Sequence, residues 1–170
     1  VLYPVDAEGG VVSGRILDQQ GRFNLNNLVD GDGIADAVAM EQFRRLLELD
    51  GEFDSPASIV EAVVDWLDRD QDPTGLGGRE DTDYAVLEPA YRTAGSEMVS
   101  PTELLLVEGM DYVAWRRLQP LVTVLPKPDG RPTSVNVNTA PAAVIAATAA
   151  VDLAIAEDIV EERKDEPFDT

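Results

Sequence analysis

The chain has 170 residues, 44% of them hydrophobic, with 33 Asp and Glu against 13 Lys and Arg, a formal net charge of −20, and neither Cys nor His. That length supports one hydrophobic core, or one core with a large insertion, and the composition excludes wholesale disorder. The missing residue types exclude disulfides, thiolate or imidazole zinc sites and His-dependent nucleophilic catalysis, while the charge disfavours nucleic-acid backbones and anionic lipids and favours divalent cations or basic partner faces.

Residues 10–28 read as strands: Val11, Val12, Ile16 and Leu17 precede a turn at Asp18–Gly21, and Phe23 and Leu25 then alternate with polar residues. After the loop 30–36 a helix is predicted over 35–50, with Val38, Phe43, Leu46 and Leu47 on its apolar face and Gly51 past its end. Ser55-Pro56 opens the next, over 56–68, as N-cap and first helical position; its inward face is Ile59, Val60, Val63, Trp66 and Leu67. Residues 68–83 hold three Gly, one Pro and six acids, a composition that reads as loop with no means of burying itself. Helical structure resumes over 100–118. Ser100-Pro101-Thr102-Glu103 forms a capping box ahead of Leu104–Val107, and Asp111 caps a short helix carrying Val113, Trp115 and Leu118, stopped by Pro120. A strand at 121–125 and a turn at 127–132 precede two last helices. One runs over 140–149 with Val144 and Ile145 inward; the other runs over 152–164 through Ile155, Ile159 and Val160.

Two segments echo each other. Asn24-Leu-Asn26 and Asn136-Val-Asn138 share an Asn-apolar-Asn core, and each is soon followed by two helices. Either these Asn side chains tie a strand end to free N–H groups of the first helix, or they are unrelated turns. The last helix pair, joined tightly at Ala149–Asp152, is of helix-hairpin-helix type. That unit binds DNA through glycines that expose backbone N–H groups, and here there is no glycine and the second helix carries Glu157, Asp158, Glu161 and Glu162. A nucleic-acid-binding role is therefore the second choice.

The acidic loop is the candidate binding site. Asp68, Asp70 and Asp72 have the one-three-five spacing that lets alternate carboxylates converge on a hard cation, and Glu80, Asp81 and Asp83 follow the glycine turn. Pro73 and Arg79 stand where an EF-hand needs Gly and Glu, so the loop is not an EF-hand. Calcium coordination and a merely solvated acidic stretch both remain open at this point. Asp30–Asp36 reads as an acidic turn, with Asp36 at a helix start. No carboxylate pair stands out from the other acids as a hydrolytic couple, and the chain reads as a binder rather than an enzyme. Trp66, Trp115, Tyr84 and Tyr91 read as core or partner-facing aromatics.

Six blocks in fixed order carry a resemblance: Ser13–Ile16 with Gly21–Leu28, Asp65–Asp70, Gly78–Tyr84, Pro89–Arg92, Glu103–Gly109 and Val135–Ala140. Together they resemble the type II secretion protein K family, minor pseudopilins of the general secretion pathway. The resemblance implies an α+β fold in which a pseudopilin α/β body, beginning with residues 1–28, carries a large mostly helical inserted domain over 29–170 that includes the helix-hairpin-helix-like pairs. It implies closing strands beyond Thr170, and an upstream hydrophobic helix that anchors a periplasmic domain in the bacterial inner membrane; the chain begins at Val1 without Met, and none of its apolar runs approaches the ~20 residues a spanning helix needs. It implies a place at the pseudopilus tip with minor pseudopilins I, J and H as partners. It also implies bound calcium, with Glu80 and Asp81 as ligands.

Overall fold

A computed structural model describes residues 2–7 and 10–168, with side chains from residue 14 onward. Among the described residues it contains an antiparallel hairpin, a minimal parallel sheet and six α-helices. The hairpin pairs β1 (Leu2–Ala7) with β2 (Gly10–Arg15), Leu2 opposite Arg15 and Ala7 opposite Gly10. The second sheet pairs β3 (Phe23–Asn24) with β4 (Val122–Thr123) in parallel.

The strands expected within 10–28 and at 121–125 therefore do not form one continuous sheet but fall into two separate pairs. Asn24 explains the brevity of β3: its side-chain oxygen accepts from Asn26 N at 3.2 Å, coiling Leu25–Leu28 into a 3₁₀ turn where alternation had suggested more strand. The expected boundary at 28/29 also does not coincide with a change in packing. Phe23, Leu25 and Leu28 are buried in the same cluster as the helices, and the Phe23 ring stacks on Phe43 with centroids 5.5 Å apart.

Helix α1 (Ala37–Asp50) begins where the Asp36 carboxylate accepts from Val38 and Ala39 N, both at 2.9 Å, and ends at Gly51 in the left-handed region. Its buried face is Ala39, Phe43, Leu46 and Leu47. Val38 was expected on that face but points to solvent, because a 3.6-residue period from Phe43 returns to Ala39. Helix α2 (Pro56–Leu67) is buried along its C-terminal three turns; Pro56 fits the first turn, while Ser55 occupies the cap position without a capping bond. Helix α1 packs on α2 and on α5 (Ala142–Ala149), and α5 packs on α6 (Leu153–Asp165). Val144 and Ile145 face inward as expected, but α6 buries Ala156, leaving Ile155 exposed and Ile159 and Val160 half-buried.

Helical structure over 100–118 comprises two elements, one behind each predicted cap. The Ser100–Glu103 capping box forms and opens a 3₁₀ turn (Pro101–Leu106), whereas α4 (Tyr112–Leu118) starts separately with Asp111 accepting from Ala114 N at 2.8 Å. No helix among the described residues is long and apolar enough to cross a membrane.

The sequence echo is a structural one. Asn26 donates to Met98 O at 3.1 Å and accepts from Met98 N at 2.8 Å; Asn138 donates to Phe168 O at 2.9 Å and accepts from Phe168 N at 2.8 Å. The preceding asparagines, Asn24 and Asn136, accept from Asn26 N and Asn138 N respectively. In both copies the side-chain amide pairs with the backbone of the segment leaving the helices, not with helix N–H groups.

Candidate metal centre

The last turn of α2 brings Asp65 and Asp68 onto one face by their three-residue spacing. The chain then loops out and turns back through Gly75, Gly77 and Gly78. Gly75 has φ +60°, and Gly77 N donates to Glu61 Oε2 at 2.6 Å. Gly78 closes the turn, where a Cβ would lie 2.3 Å from Asp65 Oδ2 and 2.5 Å from Thr74 N, so no larger residue fits without opening it. Thr74 N donates to Asp65 Oδ1 at 3.0 Å. This return delivers Glu80, the residue ahead of the single-turn helix α3 (Asp81–Tyr84), onto the two aspartates.

Asp65, Asp68 and Glu80 each offer an oxygen, all within 4.8 Å of one another, and their residues are 0%, 6% and 2% exposed. Among the described residues, Asp68 Oδ1 and both carboxylate oxygens of Glu80 have no hydrogen-bond partner. Burial, aided by the negative charge of Asp65 and Asp70, pushes Asp68 up to about 7; burial, aided by Asp65, Asp68, Asp70 and Asp81, pushes Glu80 up to about 7. Burial raises Asp65 too, against its hydrogen bonds from Thr74. Buried carboxylates normally have full sets of donors, so three converging acids, two of them with orphaned oxygens, form an electrostatic hole that a proton or a cation must fill.

A hard divalent cation fits this donor set. Calcium takes carboxylate oxygens at about 2.3–2.6 Å, so oxygens up to about 5 Å apart can share one ion. The donor set holds no nitrogen or sulfur, and soft metals gain nothing from it.

Of the six residues expected as ligands, the structure brings together Asp68 and Glu80. Asp70 and Asp72 are exposed: the Asp70 carboxylate turns back to accept from Asp72 N at 2.9 Å, so the one-three-five convergence does not form. Asp81 accepts from Thr93 N and Thr93 Oγ1, both at 3.0 Å, and Asp83 accepts from Glu80 N at 3.0 Å; these two brace the turn that presents Glu80. Sequence reasoning missed Asp65. The available signal was an acid inside the apolar run of α2, three residues before Asp68. The expectation that the loop cannot bury itself is likewise corrected, since Asp68, Gly77, Gly78 and Glu80 are all buried.

Aromatic side chains tie the site to the rest of the chain. Trp66 meets Tyr84 edge-on at 5.7 Å and Tyr84 stacks on Tyr91 at 5.2 Å. Trp66 Nε1 donates to Glu103 Oε2 at 3.3 Å, and Tyr91 donates to Leu106 O at 2.8 Å.

A family model described as type II secretion system protein K matches residues 21–127, and a second with that description matches residues 135–170. Type II secretion system protein K of Pseudomonas aeruginosa is 39% identical over 162 residues, 95% of this chain and 47% of the relative. That of Pectobacterium carotovorum is 38% identical over 143 residues, 81% of this chain and 42% of the relative. This chain therefore spans about half the length of the curated relatives it matches. In the crystal structure of the GspK-GspI-GspJ complex from the enterotoxigenic Escherichia coli type 2 secretion system, one chain superposes with a TM-score of 0.72. It is 27% identical, over 86% of this chain and 52% of that one.

Proposed function

Since the chain belongs to the type II secretion system protein K family, we propose that it is the structural, calcium-holding part of a minor pseudopilin that joins pseudopilins I and J, and later H, at the tip of a secretion pseudopilus. The observation that carries the reading is the likeness, at a TM-score of 0.72 and 27% identity, to a chain solved within a three-protein complex of that system. On this reading the domain faces the periplasm of an inner-membrane-anchored protein and works by assembly, with no turnover. The nucleic-acid alternative draws no support from the surface, since exposed Glu157, Asp158, Glu161 and Glu162 on α6 repel a phosphate backbone.

Calcium belongs to the same proposal. Asp68 and Glu80 would hold the ion with their unpartnered oxygens, and Asp65 would complete the set from α2. A bound ion supplies positive charge that cancels the repulsion among the three carboxylates. The chain's own residues do the rest: Gly78 lets the loop close on Asp65, Asp81 and Asp83 fix the turn carrying Glu80, and Trp66 and Tyr84 transmit that order to residues 91–108. Size-exclusion chromatography with light scattering on this chain mixed with pseudopilins I and J tests the assembly. A single peak at the summed mass is expected; separate elution at micromolar concentration would sink the assignment.

A further inference from the structure

In a chain with 33 acids and 13 basic residues, a cleft that gathers several guanidinium groups without a carboxylate partner is a concentration of positive charge. Arg15 at the end of β2, Arg22 ahead of β3 and Arg163 near the end of α6 line a single depression of about 550 Å³. Among the described residues, none of the three lies within 4 Å of a carboxylate; Arg69, Arg79, Arg116 and Arg131 are unpaired too but lie outside this cleft, and what sets these three apart is that they share one depression.

The one acid in the cleft is already engaged by uncharged donors. Asp18 accepts from Thr139 Oγ1 at 2.7 Å, Asn136 Nδ2 at 2.9 Å and Gln20 N at 3.0 Å, which together hold its carboxyl below the usual range. Arg163 is anchored by one nitrogen: Nη1 donates to Val137 O and, at 2.6 Å, to Ala140 O. Its Nε and Nη2 have no partner among the described residues, and burial lowers its pKa, as for a cation without a counter-ion. The remaining walls are apolar, with Ile16 77% exposed, Leu17 45% exposed, and Pro120 and Pro141 beside them.

We infer that this cleft is a docking site for a carboxylate-bearing segment of a partner protein, the acid held by Arg22 and Arg163 and its apolar neighbour by Ile16 and Leu17. Guanidinium groups bind carboxylates with paired, charge-assisted hydrogen bonds, and a preset fork loses little freedom in doing so. A nucleic acid or an anionic membrane meets the net −20 before it reaches three arginines, while a short segment brings one charge and apolar atoms that match the walls. The inference stands on the cleft itself and does not depend on the secretion assignment.

The test uses the 170-residue chain and three probes, followed by NMR of the arginine Nε resonances. The probes are acetyl-Leu-Glu-Leu-amide, its Gln counterpart and sodium sulfate. The Glu peptide is expected to shift Arg22 and Arg163 saturably, and the Gln peptide to bind at least about tenfold more weakly. Binding should disappear in the double variant Arg15→Glu, Arg22→Glu, both in side chains that carry no structural bond, and persist in Arg116→Glu on the exposed face of α4. No shift up to about 10 mM peptide, a range that still detects contacts near 3 kcal/mol, would overturn the inference. So would saturation by sulfate equal to that by the Glu peptide, which would make the cleft a site for small anions instead.

Discussion

Replacing Glu80 by Gln should stabilise the metal-free protein at neutral and alkaline pH, which is unusual for a change at a fully buried position. Glu80 has a folded-state pKa of about 7 against an ordinary 4.5, with burial as the largest cause. The raised value means that the unfolded chain gives up this proton first. Between pH ~4.5 and ~7 the unfolded state then binds fewer protons, so metal-free stability falls as pH rises, and the loss is complete above the folded pKa. At about 1.4 kcal/mol per pH unit the difference amounts to roughly 3 kcal/mol, part of it shared with Asp68 because each carboxylate raises the other. Glutamine cannot ionise and recovers most of that, a gain of about 5–10 °C in Tm for a chain of this length. Calcium should reverse the order. It would stabilise the wild type by about 4.1 kcal/mol at a thousandfold excess over its dissociation constant, more than the roughly 3 kcal/mol at stake, and the variant far less. The assay is thermal unfolding by circular dichroism from pH 5 to 8, in EGTA and in calcium. A flat wild-type Tm across that range in EGTA, or a variant less stable than wild type under both conditions, would refute the reasoning.

Three further outcomes follow from the packing. Gly78→Ala should abolish calcium-dependent stabilisation, because its Cβ would collide with Asp65 Oδ2 and the Thr74 backbone; thermal shift with and without calcium reads this directly. Ala150, at φ +57°, occupies the left-handed region at the end of α5, so Ala150→Gly should stabilise by about 1 kcal/mol in chemical denaturation while creating no affinity for duplex DNA in fluorescence anisotropy. Asn26→Ala and Asn138→Ala each strand a backbone N–H and C=O pair. The former should cost about 2–3 kcal/mol and the latter less, since Asn26 is 1% exposed and Asn138 only half-buried.

The helices were legible because their signals are local. Pro56 at a first turn, Gly51 in the left-handed region, Asp36 and Asp111 as caps and the Ser100–Glu103 box all act within one turn of themselves, and all appear where the sequence placed them. The candidate metal centre was half legible. Asp68 and Glu80 could be proposed from loop composition and resemblance, but Asp65 sits in an apolar helix and looks like a solvated position until Gly78 is seen closing over it. Asp70 and Asp72 misled because alternate spacing makes carboxylates converge only if the backbone coils around an ion, and here Asp70 caps its own turn. The roles of Asn26 and Asn138 were beyond sequence, since their partners lie 72 and 30 residues away.

Native mass spectrometry of the chain, stripped with EGTA and returned to calcium, tests the central claim most directly. One calcium ion retained per chain is expected, lost in Asp68→Asn and in Glu80→Gln but kept in Asp70→Asn with Asp72→Asn, whose carboxylates face solvent. Retention of no ion by the wild type, or an ion that survives loss of Asp68 or Glu80 and leaves with Asp70 and Asp72, would contradict the account.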